Sequence, residues 1–124
     1  MYSMTFTEYF MNPVTQAYLL LALAIITEVT GSTLLVKSEG FSKLIPSVAV
    51  VILFAIAFYL LSHVIKVIPL GVAYAIWAGV GIILTALIGV VVLKQSLDAP
   101  AIMGILLIVC GVVVMNLFSK TTGH

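Results

Sequence analysis

The chain has 124 residues, of which 64% are hydrophobic and 7% charged, with a formal net charge of +1. So few charged side chains cannot clothe a water-facing surface, which excludes a soluble globular domain. The near-neutral balance leaves no basic footprint for nucleic acid, and one cysteine, Cys110, offers neither an intrachain disulfide nor a metal cluster.

Residues 1–16 mix Ser, Thr, Asn, Tyr and Phe around Glu8 and Asn12-Pro13 and are expected to form a polar N-terminal extension. After them come four apolar runs: Ala17 to Val36, Ile45 to Ile65, Gly71 to Leu93 and Ala99 to Phe118. Each approaches the ~20 residues that carry a helix across a hydrocarbon core of ~30 Å. Barrel strands would be ~10 residues long and alternate polar with apolar, so continuous runs of this length predict helices. The first run is expected to be a retained span rather than a secretory signal, because residues 1–16 lack Lys and Arg and the run carries a carboxyl at Glu28.

The connections are short. Gly40 supplies a helix stop and Pro46 suits the first turn of the second helix. Pro69 breaks the chain between spans two and three, and Asp98 is placed to cap the fourth helix with Pro100 just inside it. Short loops make sequential neighbours antiparallel, so the fold class is an all-α membrane protein with four transmembrane helices per protomer over residues 17–120 and a tail at 121–124. Lys37, Lys43 and Lys94 fall on one side of the membrane, and Lys66 and Lys120 on the other. This near-even count fits insertion in both orientations, with assembly as an antiparallel pair, and equally a single topology fixed by the insertion machinery.

Glu28 is the only carboxyl within any of the four runs. Low dielectric disfavours a bare charge, so an intramembrane acid is expected to serve protons, ions or substrates. At helical spacing it shares a face with Leu21, Ala24, Ile25, Gly31 and Ser32, several of them small enough to leave room for a ligand or for a neighbouring backbone. In the third run Tyr74, Trp77 and Gly81 share a face, and aromatic rings attract organic cations that cannot donate hydrogen bonds. Membrane interfaces also collect Tyr and Trp, so anchoring is the competing role. Gly79 and Gly81 loosen the helix and predict a hinge, although tight packing would use the same residues. Gly104, Ile108 and Gly111 recur at helical spacing on the fourth run, with Met115 continuing the stripe, and form a seam for dimerisation or for packing within one protomer. His63 and Lys66 close the second run and are expected to anchor it at the interface. No metal set includes His63, and no nucleophile and base pair or phosphate loop points to an enzyme.

These residues resemble one family, the small multidrug resistance transporters, and within it the branch that exports quaternary ammonium compounds. The similarity covers about residues 17 to 120 and rests on Glu28-Val29, Ser38-Glu39-Gly40-Phe41 with Pro46-Ser47, Pro69 through Trp77 with Gly79-Val80-Gly81, Leu97-Asp98, and Asn116-Leu117-Phe118-Ser119. It implies an antiparallel, dual-topology homodimer in the bacterial cytoplasmic (inner) membrane, with the lipid bilayer and organic cations as partners. It further implies that the two copies of Glu28 bind either protons or one lipophilic cation. No cofactor is implied beyond the proton as coupling ion. Tyr74 and Trp77 match the family's substrate-contacting aromatics and Tyr18 a third, while Gly104 and Gly111 match its dimer seam. The chain departs from the pattern at Phe54, which stands where better known members carry a tyrosine. It departs again at Lys37, one residue beyond the usual lysine position, leaving Val36 there.

The expected activity is proton-coupled antiport that exports lipophilic and quaternary ammonium cations by alternating access. The alternatives are transport of small natural cations, such as guanidinium, choline or betaine-like osmolytes, and a proton-conducting or structural membrane subunit.

Overall fold

A computed structural model of the chain describes residues 12–120. They form four helices: α1 (Pro13–Lys37), α2 (Leu44–Val64), α3 (Leu70–Val91) and α4 (Ala99–Phe118). At 1.5 Å per residue each is about 30 Å or longer, and all four are long and apolar enough to cross a membrane.

The helix ends obey local chemistry. α1 starts four residues ahead of the expected Ala17 because Asn12 Oδ1 accepts from Val14 N at 2.9 Å and Pro13 suits the first helical position. Residues 13–16 of the expected extension are therefore the first turn of a helix; residues 1–11 and the tail at 121–124 lie outside the described residues. α3 stops two residues short of Leu93, where Lys94 turns left-handed at φ 57° and Gln95 N folds back to Gly89 O at 2.8 Å. Asp98 caps α4 as expected, its Oδ1 accepting from Ala101 N at 3.0 Å.

The α1–α2 connection turns through three successive left-handed residues, Glu39 (φ 49°), Gly40 (φ 71°) and Phe41 (φ 63°). Only the glycine adopts that region without steric cost. Ser38 holds the turn: fully buried, its Oγ donates to Leu35 O at 2.7 Å and accepts from Phe41 N at 3.1 Å. Its carbonyl also accepts from Ser42 N and Lys43 N.

α1 packs chiefly on α2 and also on α3, whereas the substantial helix contact of α4 is with α3. The core joins the α1 stripe Ala17, Leu21, Ile25 and Val29 to Leu61, Val64 and Ile68 and to Val72 and Ala73. No residue of α4 is buried. Large apolar side chains instead face outward throughout, among them Ile45, Leu107 and Phe118, as a lipid solvent requires. The hydroxyls of Thr27, Thr30 and Thr33 each donate to the carbonyl four residues earlier, which satisfies them inside the apolar layer.

Candidate functional site

Glu28 sits on α1 about 16 Å beyond Ala17, close to the middle of a ~30 Å hydrocarbon layer. It is half-buried, and Ser32 Oγ donates to its Oε1 at 2.8 Å from the next helical turn. The ion pair among the described residues is Lys43 Nζ to Glu39 Oε2 at 3.4 Å, outside the span, so no basic side chain there neutralises Glu28. A carboxyl in that setting is neutral when protonated or when a cation from outside lies against it.

The other residues of its helix face divide by role. Leu21, Ala24 and Ile25 are closed into the core and support the helix; they do not line an opening within the protomer. Gly31 is buried where α1 and α2 cross: a Cβ there would stand 3.1 Å from Phe54 Cε2 and 3.4 Å from Leu53 Cβ. Phe54 thus lies against the turn that carries Glu28. Of the five, Ser32 hydrogen-bonds the carboxyl.

On α3 the rings of Tyr74 and Trp77 are stacked, with centroids 6.2 Å apart and planes inclined by 18°. Phe58 of α2 adds a third ring, 6.4 Å from that of Trp77. The sequence reading missed Phe58, although its spacing of four from Phe54 on one helix face was a usable signal. Tyr18 and Trp77 both pack against the core that α1 and α3 share, which ties the aromatic residues to the helix carrying the acid.

α3 runs unbroken through Gly79 and Gly81. Gly79 is a point of close approach, because a Cβ there would be 2.7 Å from Val112 Cγ2 of α4. At Gly81 a Cβ would meet Trp77 Cδ1 at an ordinary 3.6 Å. On α4, a Cβ at Gly104 or Gly111 would meet nothing within 4 Å, and Ile108 between them is exposed. Gly104 and Ile108 border the groove between α3 and α4, and Met115 at the end of the stripe packs against the core, so the stripe is only partly engaged within the protomer. The grooves between α3 and α4, of about 240 and 440 Å³, are lined mostly by aliphatic side chains such as Ile83, Leu87 and Ile105 and hold no carboxyl.

Four helices long and apolar enough to cross a membrane, the first carrying an acid near mid-span with a serine hydroxyl as its hydrogen-bond partner, define a multi-pass membrane protein. Residues 16–108 match the family described as Small Multidrug Resistance protein. The chain is 47% identical over 114 residues to the multidrug transporter EmrE of Escherichia coli, covering 92% of this chain and all of the relative. It is 49% identical over 109 residues to the quaternary ammonium compound-resistance protein QacE of Escherichia coli, covering 88% and 99%. It is 46% identical over 104 residues to QacC of Staphylococcus aureus, likewise a quaternary ammonium compound-resistance protein, covering 84% and 97%. The chain belongs to the small multidrug resistance family of transporters and is a multi-pass protein of the bacterial inner membrane.

Proposed function

We propose that the protein exports lipophilic and quaternary ammonium cations in exchange for protons, by alternating access, as an antiparallel homodimer. The observation that carries this reading is Glu28: a mid-membrane carboxyl with a serine hydroxyl as its hydrogen-bond partner and no basic neighbour among the described residues. The names of the relatives, multidrug transporter and quaternary ammonium compound-resistance protein, point to the same cargo.

One carboxylate carries one negative charge, so a proton and an organic cation compete for it. A cation entering from one side displaces the proton to that side, the site then opens to the other, and a proton arriving there releases the cation. The stacked faces of Tyr74 and Trp77 offer the π-density that a quaternary ammonium group can use without donating a hydrogen bond. In one protomer Glu28 lies on a helix face rather than in an enclosed chamber, which favours a site completed by a second copy. The stripe of Gly104, Ile108 and Gly111, where an added Cβ at either glycine would meet nothing within 4 Å, is the surface on which that copy is proposed to seat.

The test is exchange in liposomes. With the wild-type protein an imposed proton gradient drives tetraphenylphosphonium across the membrane, and with Glu28→Gln it does not. Gradient-driven movement retained in Glu28→Gln overturns the assignment of Glu28. A cation-independent proton leak through the wild type favours the proton-conducting alternative.

A further inference from the structure

A second polar recess lies away from Glu28, where the start of α1 meets the end of α2. It has a volume of about 210 Å³ and is lined chiefly by Gln16, Ala17, Leu20, His63, Lys66 and Val67. Three of these bring hydrogen-bond donors, the amide of Gln16, the imidazole of His63 and the ammonium of Lys66, and three are aliphatic. Pro13 begins α1 and Val64 ends α2, so the recess sits at the boundary between hydrocarbon and water.

Its positive charge has no counterpart in the protein among the described residues. Glu39 and Asp98 belong to the connections at the opposite ends of the helices, and Glu28 is about three turns, or roughly 17 Å, beyond Gln16 and Ala17 along α1. Lys66 is exposed and His63 half-buried, with its ring edge-on to Tyr59 at 4.9 Å. One turn deeper, Leu23 and Tyr59 are exposed to the lipid. A lysine that merely reaches for water needs no recess and no converging donors.

We propose that this recess binds the phosphate of an anionic phospholipid, with Lys66, His63 and Gln16 as donors. The aliphatic half of the lining and the exposed side chains below it receive the start of the acyl chains. That mixed lining selects a lipid over a free anion, which would be left facing apolar carbon on one side. The site is separate from the exchange chemistry at Glu28.

The test counts lipid on the delipidated full-length protein by native mass spectrometry, with phosphatidylglycerol and phosphatidylcholine offered in equal amounts. The wild type is expected to prefer phosphatidylglycerol about fivefold, which one juxtamembrane lysine can supply. His63→Gln with Lys66→Gln removes the preference, Lys66→Gln alone weakens it, and Lys66→Arg keeps it. Tetraphenylphosphonium binding by the same samples reports that the variants are folded, and the exposed single variant at Lys66 stands in if the double one is not. Equal retention of the two lipids by the wild type, or an unchanged preference in the folded variants, overturns the proposal. Release of bound phosphatidylglycerol by inorganic phosphate would assign the recess to a free anion and overturn the lipid assignment.

Discussion

Ser32 Oγ donates a 2.8 Å hydrogen bond to Oε1 of Glu28, one helical turn away. The bond fixes the position of one carboxyl oxygen on the helix face, where an organic cation would meet it. Ser32→Ala is therefore expected to weaken cation binding at a fixed pH by about tenfold. Ser32→Thr keeps the hydroxyl and most of the affinity. Calorimetric titration of tetraphenylphosphonium into each variant measures both.

Gly79 holds α4 on α3. An added methyl group would lie 2.7 Å from Val112 Cγ2 and 3.3 Å from its Cβ, and a β-branched side chain on a helix has little freedom to turn away. Gly79→Ala is expected to lose about 1 to 2 kcal/mol after its gain in helix propensity, and Val112→Ala in the same chain recovers part of that loss. Gly81→Ala, with only an ordinary contact to Trp77, costs little packing energy. Thermal unfolding in detergent separates the three.

The stripe on α4 makes the opposite prediction. Gly104→Ala and Gly111→Ala add a Cβ that meets no atom of its own protomer within 4 Å, so each protomer is expected to fold as before. A second copy can no longer approach closely, and dimerisation and cation binding fall together. Cross-linking in membranes alongside helical content in detergent checks the pair of outcomes.

Ser38→Ala strips the α1–α2 turn of two hydrogen bonds and leaves the N–H of Phe41 without its side-chain acceptor. The expected loss is about 1 to 3 kcal/mol of stability. Hydrogen exchange at residues 38–43 should accelerate before that of the α1 core.

Much of this architecture is legible from apolar run length alone, because lipid leaves a backbone few options but helix. Asp98 as a cap was readable for the same kind of reason, a local side chain meeting a local need. The start of α1 was misplaced because Thr15 and Gln16 look polar beside the apolar run from Ala17 onward, although Asn12-Pro13 carried the capping signal. Glu28 stood out by chemistry. Which neighbours would touch it did not, since Leu21, Ala24, Ile25 and Ser32 share one helix face and only the packing of α2 and α3 divides them into core and contact. The same holds for α4, whose stripe of small residues cannot announce from spacing whether its partner lies inside or outside the protomer.

The central claim is that one acidic group is shared, at different times, by a proton and an organic cation. The most direct measurement is the Kd for tetraphenylphosphonium across a range of pH in detergent, with wild type and Glu28→Gln compared. The account predicts that the wild-type Kd weakens on acidification, by about tenfold per pH unit for each proton displaced, and that Glu28→Gln binds at no pH. A wild-type Kd that does not change with pH, or full affinity in Glu28→Gln, would contradict it.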